Sequence, residues 1–300
     1  MLTKEQIAQR VNSVGGSDAA TILGFNQYKS SVELFLEKTG QIEIEQKMSW
    51  PVIWGNLNED NVAKLFEMET GKKVRRRNQL LVHSQYPFIT ANLDRVVVGE
   101  KAILECKTAN GWKSKEWIGD EIPTPYLIQC MHYLAVTGYD KAYIACMIDN
   151  SKFIWKTIER DEELIQSIIS AEIEFWSYNV LNNIPPEFDG SDAASNLINR
   201  MYPVAAIRSS SELPIEAIEL VQKYEEAVEY EKLWNSNKKQ AENKLKAMLG
   251  ESEYGYRGDR TISWKNISSS RVNSDLLKEK YPDIYKAVSK EINFRRFSVK

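Results

Sequence analysis

The stretch Asp94-Arg-Val-Val-Val-Gly-Glu-Lys-Ala-Ile-Leu-Glu105-Cys106-Lys107 decides how this chain is read. Two short apolar runs, Val96 to Val98 and Ala102 to Leu104, flank the turn-like Gly99-Glu100-Lys101, and this pattern predicts a β-hairpin. Asp94 then lies beside the first strand, while Glu105 and Lys107, two apart, point to one face of the second. Two carboxylates and an ammonium at one sheet edge are what a metal-dependent phosphodiesterase needs. A divalent cation on hard oxygen ligands polarises the phosphate and lowers the pKa of a bound water, and a lysine orients that water or offsets charge. The same residues also suit the solvated face of an ordinary hairpin. The three residues alone leave both readings open.

The chain has 300 residues with ordinary apolar content and many aromatics, enough for a substantial core, and this excludes a disordered chain. No run approaches the ~20 apolar residues of a membrane span. The start, Met-Leu-Thr-Lys-Glu-Gln, lacks the plan of a signal peptide, so a cytoplasmic location is expected. Cys106, Cys130 and Cys146 are scattered and form no Cys-x-x-Cys pair, and His83 and His132 are the only histidines. A disulfide framework, a structural zinc and an iron–sulfur cluster are therefore not expected. The net charge of -3 argues against a generally basic nucleic-acid coat but leaves local phosphate-binding patches open.

In chain order, residues 3–12 read as a helix, followed by Val14-Gly-Gly-Ser-Asp-Ala-Ala-Thr-Ile-Leu-Gly24. Ser17 or Asp18 would cap a helix over 18–23, whose free N–H groups, with Arg10, would make a pocket for a terminal phosphate. A plain capped turn is the other reading. Ser31 to Gly40 is an amphipathic helix. Gly55 opens a third, Asn56 to Gly71, with Leu57, Val62, Leu65 and Phe66 as its buried stripe and Glu59 in its first turns. Glu59 is either an exposed helix carboxylate or aimed at the metal site. The run of Lys72, Lys73, Arg75, Arg76 and Arg77 guards an edge strand or holds a nucleic-acid backbone.

Strands are expected at 79–83, 86–91, 141–148 and 152–158, and helices from Pro123-Thr-Pro-Tyr126 through Thr137 and over 160–182. Leu164, Ile168, Ile169, Ile173 and Trp176 form the core stripe of the latter. Gln129 and Tyr133, four apart, share a face of the earlier helix, as packing or as a site. The order of elements gives a mixed sheet with helices on its faces. Pro185-Pro186 and Gly190 to Ser195 mark a composition break. The expected organisation is a core over 1–185, a linker over 186–213, and an extension over 214–300 made of a long charged helix and a small α/β tail.

Taken together, Gly-Gly-Ser-Asp-Ala-Ala near the start, Trp54-Gly-x-x-x-Glu59, Asp94, Glu105-Cys106-Lys107 and Gln129-x-x-x-Tyr133 resemble the YqaJ-like viral recombinase nucleases. These are relatives of phage lambda exonuclease in the PD-(D/E)xK superfamily, and the resemblance spans roughly residues 8–180. It implies an α/β (α+β) fold with a restriction-endonuclease-like core. It also implies that Asp94, Glu105 and the Cys106 carbonyl hold one Mg²⁺ (Mn²⁺ as a substitute), and that Glu59 reaches a second ion or a bridging water. By the same resemblance Lys107 orients the attacking hydroxide and Gln129 and Tyr133 form the Gln-x-x-x-Tyr element. Arg10 and Ser17 match the family's 5′-phosphate pocket, where Asn92 stands in for its Ser; Leu93 replaces the Pro that names the superfamily.

The activity so implied is 5′→3′ exonuclease action on double-stranded DNA ends, releasing 5′-mononucleotides in phage-type recombination. A homotrimeric ring and a single-strand annealing protein as partner are implied by kinship, in the cytoplasm of a bacterial host. An endonuclease on the same core and a non-catalytic DNA-binding protein derived from it are the alternatives.

Overall fold

The Asp94–Lys107 stretch folds as a hairpin at the heart of a five-stranded sheet. The computed structural model describes residues 4–44, 49–149, 151–291 and 293–299, so residue 3 of the first expected helix lies outside the described residues. Chain-contact density divides it into two compact units, Met1–Met201 and Tyr202–Lys300.

In the first unit, α1 (Lys4–Val11), α2 (Gly16–Ile22), α3 (Ser31–Lys38) and α4 (Trp50–Thr70) precede the strands. α4 starts well before Gly55, with Pro51 supplying the N-terminal turn, so Gly55 sits inside a helix rather than opening one. Its buried residues are Asn58, Val62, Ala63 and Phe66. Leu57, expected in the stripe, is 67% exposed: five residues before Val62, it lies about 140° round the helix from it. Gly71, at φ 71°, ends the helix in the left-handed region.

β1 (Val74–Arg75), β2 (Leu81–Val82), β3 (Thr90–Ala91), β4 (Arg95–Val97) and β5 (Ala102–Ala109) follow. A 3₁₀ turn over Gly111–Trp117 leads to α5 (Thr124–Thr137), β6 (Lys141–Ile148) and β7 (Lys152–Glu159). α6 (Glu162–Glu174) runs into a π-helical turn, Phe175–Val180, and the unit closes with α7 (Asp192–Met201). The sheet order is β1-β4-β5-β6-β7; β5 and β6 are parallel and the other pairs antiparallel. This is the mixed sheet flanked by helices that the order of elements predicts.

Strand periodicity sends alternate residues to two cores. Val96, Ile103, Ala142, Ile144, Cys146 and Ile148 pack with α2, α5 and α6. Val97, Ala102, Leu104, Tyr143 and Ala145 pack with Val62, Ala63 and Phe66 of α4. Glu105 and Lys107 share the parity of Ile103, so they face α5. The β2–β3 hairpin stands apart from the main sheet, and Val14, between α1 and α2, bridges to Ile89 beside it. Its N–H donates to the Phe88 carbonyl at 2.7 Å and its carbonyl accepts from the Thr90 N–H at 2.9 Å. That splice sets the Gly15–Asp18 turn next to the chain entering Asp94.

α7 falls inside the stretch expected to be a linker. Ala193, Ala194 and Leu197 are buried, Leu197 among residues of α3, and the Arg200 guanidinium pairs with Glu33 at 2.5 Å. Small residues that read as a break are instead the packing face of a helix. The second unit holds α8 (Ala217–Leu249), the hairpin of β8 (Tyr254–Arg257) and β9 (Arg260–Ser263), α9 (Ser274–Lys280) and α10 (Pro282–Val288). None of the described helices is long and apolar enough to cross a membrane.

Candidate active site

The hairpin register opposes Arg95 to Leu104, which places Asp94 at the end of β4 beside Glu105 and Cys106 of β5. The Asp94 Oδ2 accepts the Cys106 N–H at 2.8 Å. Glu105 is 3% exposed, and its Oε1 accepts from the Lys107 ammonium at 2.6 Å and from the Gln129 amide at 2.8 Å. Gln129 Oε1 in turn accepts from Lys107 at 3.0 Å, and its Nε2 also donates to the Tyr133 hydroxyl at 2.9 Å. Glu105, Lys107, Gln129 and Tyr133 thus form one hydrogen-bonded set between β5 and α5.

Glu105 Oε2, buried, has no hydrogen-bond partner. An orphaned carboxylate oxygen in a dry site costs free energy unless a cation or donor reaches it. Asp94 is under the same pressure: burial, then repulsion from Glu105, pushes its carboxyl well above the usual range. Lys107 responds oppositely. Burial alone would lower it, but the Glu105 carboxylate and its hydrogen bond outweigh that and hold the ammonium above its ordinary value. Lys107 is therefore a firm cation and hydrogen-bond donor. Burial holds the Cys106 thiol high, so a thiolate ligand is not on offer there and only its carbonyl suits a hard cation. Among the described residues, no three side chains of His, Cys, Asp and Glu are gathered as a ready-made cation site. The buried Glu105 carboxylate with its unpartnered oxygen, the half-buried Asp94 carboxylate and a backbone carbonyl nonetheless make an oxygen donor set that fits a hard divalent ion.

Glu59 is not drawn into that set. Arg95, 4% exposed and with the parity of Val97, faces α4, where its guanidinium pairs with Glu59 at 2.5 Å and with Asp60. It also donates to the Asp94 carbonyl. Arg95 therefore ties the acidic end of α4 to the start of the hairpin, a role hidden in the sequence because a single arginine beside three valines carries no pattern.

Arg10, Ser17 and Asn92 line one cavity together with Lys38, Thr90 and Tyr133. Lys38, missed as an ordinary helix lysine, is buried, and its ammonium donates to the carbonyls of Arg10 at 2.5 Å and Ser13 at 2.6 Å and to Asp18 at 2.8 Å. Asp18 also accepts the Gly15 N–H at 3.1 Å, so it caps the turn from within α2. Burial would raise its carboxyl, but Lys38 lowers it overall.

The basic run is dispersed. Lys72 pairs with Glu100, Lys73 lies 3.9 Å from Glu67, Arg76 pairs with Asp60 at 2.5 Å, and Arg77 donates to the Tyr139 hydroxyl at 3.3 Å. Arg75 lies exposed on β1, the edge strand.

Residues 6–140 match the YqaJ-like viral recombinase domain. A protein of Bacillus subtilis strain 168, described as uncharacterized protein YqaJ, is 44% identical over 302 residues, spanning 100% of this chain and 95% of its own length. The chain belongs to the YqaJ-like viral recombinase family. Among solved structures, the alkaline exonuclease LHK-Exo from Laribacter hongkongensis matches with a TM-score of 0.52 at 20% identity, over 68% of this chain and 100% of that one. The same enzyme in complex with dAMP matches with a TM-score of 0.52 at 21% identity, over 67% and 98% of the two chains. At that identity the likeness concerns the fold. In this YqaJ-like chain, the family's matched region ends just past α5, so it takes in the hairpin, the Gly15–Asp18 turn and the helix bearing Gln129 and Tyr133.

Proposed function

We propose that this chain is a metal-dependent exonuclease that degrades one strand of duplex DNA from its 5′ end. It would release 5′-mononucleotides and leave a 3′ single strand for annealing-type recombination in a bacterial cytoplasm. The observation that carries this reading is the buried Glu105 carboxylate, held through one oxygen by Lys107 and Gln129 and left with its other oxygen unpartnered beside Asp94.

Asp94, Glu105 and the Cys106 carbonyl would hold Mg²⁺ or Mn²⁺, which supplies a polarised phosphate and a bound water of lowered pKa. Lys107, kept protonated, orients the attacking water by donating to it and offsets charge building on the phosphate. Gln129 fixes the spacing of Glu105 and Lys107, and Tyr133 braces Gln129. Glu59, now paired with Arg95, would reach a second ion or a bridging water on release from that pair. Arg10, Ser17 and Asn92 receive the 5′-phosphate in their shared cavity. Lys72, Lys73, Arg75, Arg76 and Arg77 contribute backbone contacts as their present partners are exchanged for phosphate. Kinship adds a ring-shaped homotrimer and a single-strand annealing partner to the same reading.

The test is incubation with Mg²⁺ and linear duplex labelled separately at each 5′ end and internally, with a covalently closed circle alongside. Mononucleotides leaving 5′ ends while the circle survives are expected; cutting of the circle would replace the exonuclease with an endonuclease. Lys107→Ala is expected to abolish hydrolysis while leaving circular dichroism unchanged, and full retained activity would sink the assignment. A 5′-phosphorylated end should be degraded faster than a 5′-hydroxyl end, and Arg10→Ala should erase that preference.

A further inference from the structure

In the second unit, the hairpin of β8 and β9 presents two unlike faces. The register sets Tyr254 opposite Ser263, Gly255 opposite Ile262, Tyr256 opposite Thr261 and Arg257 opposite Arg260. Gly255 and Ile262 are half-buried and form the inner face. A Cβ on Gly255 would lie 2.7 Å from Leu249 Cδ2, so this face packs against the end of α8. By strand parity Tyr254, Tyr256, Thr261 and Ser263 form the outer face, and all four are exposed. Each tyrosine stands across from a short hydroxyl side chain that cannot cover its ring, and Tyr256 is 73% exposed. Just past β9, the Lys265 ammonium lies 4.5 Å from the Tyr254 ring centroid.

Tyrosine is a good strand former, and exposed rings alone would need no other account. The charges demand one. Arg257 and Arg260 oppose each other on the last rung before the Gly258-Asp259 turn, and like charges directly opposite destabilise a hairpin. Asp259, exposed and 3.8 Å from Arg260, is the only acidic residue between Tyr254 and Arg271, a stretch that carries Arg257, Arg260 and Lys265. A bound anion relieves that arrangement. Open aromatic faces flanked by cations match a nucleic-acid strand, with bases on the rings and phosphates on the cations. Spacing then selects a single strand. Two residues along β8 put the tyrosines about 6.7 Å apart, twice the ~3.4 Å step between bases of a duplex, which also hides its base faces inside its own stack.

We propose that the outer face of this hairpin is a platform for single-stranded DNA. Neighbouring bases of an unstacked strand rest on Tyr254 and Tyr256, while Lys265 at one end and Arg257 and Arg260 at the turn take phosphates. Stacking and phosphate contacts carry no base code, so binding is indifferent to sequence. The origin of the strand rests on the exonuclease reading: it is the 3′ strand left as its complement is degraded. The enzyme thereby keeps hold of its own product.

The test measures binding of a labelled single-stranded oligonucleotide to the full-length protein by fluorescence anisotropy, in EDTA so that nothing is hydrolysed. The variants are Tyr254→Ala with Tyr256→Ala, Tyr254→Phe with Tyr256→Phe, and Arg257→Gln with Arg260→Gln. The double Ala variant should bind the strand at least about tenfold more weakly, within the range of lost base–aromatic stacks, and the double Phe variant should match wild type. On a strand of abasic tetrahydrofuran units, and on blunt duplex, wild type and the double Ala variant should bind equally. The double Gln variant should weaken binding of both single strands and reduce the slope of log affinity against log salt by about 1.4, the share of two phosphate contacts. A double Ala variant equal to wild type, a defect that persists on the abasic strand or appears equally on duplex, or a wild type that does not hold the single strand overturns the platform. Hydrolysis of linear duplex by the wild type in Mg²⁺ is scored separately. Its absence, with ring-dependent binding intact, removes the exonuclease reading and leaves the platform; its presence, with ring-independent binding, removes the platform alone.

Discussion

Gly16 is where α2 meets α5 without a side chain between them. A Cβ built there would lie 2.5 Å from Tyr133 Cε1, 2.8 Å from its Cζ and 3.1 Å from Gln129 Cγ. Tyr133 cannot easily yield, because it is buried and its hydroxyl is engaged by Gln129. Gly16→Ala is therefore expected to cost about 1–3 kcal/mol and to displace Gln129 from Glu105, lowering both the melting temperature and the DNA hydrolysis rate. Gly15→Ala is the control: its Cβ would meet nothing nearer than Asp18 Oδ2 at 4.0 Å, so a near-neutral melt is expected. In the sequence the Gly-Gly-Ser-Asp motif reads as a helix start with a pocket for a terminal phosphate or as a plain capped turn, whereas what lies closest to Gly16 is a tyrosine ring. No local pattern carries the identity of a neighbour that lies more than a hundred residues away.

At the scale of elements, α5 is clamped by His132, one residue before Tyr133. Its Nδ1 meets Glu172 of α6 at 2.6 Å and its Nε2 meets the Thr90 carbonyl of β3 at 2.9 Å, with both side chains fully buried. Burial would lower the imidazole, but Glu172 and the two hydrogen bonds leave it above its ordinary value. A folded-state pKa raised above the unfolded one stabilises fully below the unfolded value of about 6.5 and is lost as pH rises through the folded value. Melting temperature should therefore fall on the alkaline side of neutrality, and the double variant His132→Gln with Glu172→Gln should flatten that slope; an unchanged slope would remove the pair as its cause. The bounds of α5 were legible because Pro125 and Gly138 punctuate it, and those of the hairpin because two apolar runs, Val96 to Val98 and Ala102 to Leu104, flank Gly99 to Lys101. The start of α4 was not, since Gly55 reads as a boundary while the helix gains its first turns from Trp50 and Pro51. Nor was α7, whose small residues are ambiguous until α3 covers them. Within the cluster, Asp94, Glu105 and Lys107 could be placed from strand parity. The pairing of Glu59 with Arg95 could not, because it depends on which helix lands on which sheet face.

Across the whole molecule, residues 202–216, which open the second compact unit, hold no helix or strand and are exposed throughout. Limited proteolysis should cut there first and leave a resistant fragment ending near Met201 that contains α7. A first cut before Asp192 would instead move the boundary to the composition break. The parallel pairing of β5 with β6 bears on how the cluster comes together in time. Asp94 and Glu105 are brought together by a short hairpin, whereas Gln129 reaches Glu105 only after the chain from Asn110 to Asp140 has crossed over to lay β6 alongside β5. Non-local pairing of that kind is slow, because loop-closure entropy must be met before the contacts reward it. On refolding, the acidic pair should thus assemble in an early phase and its glutamine brace in a later one. The last step to native structure would be the one that completes the candidate active site.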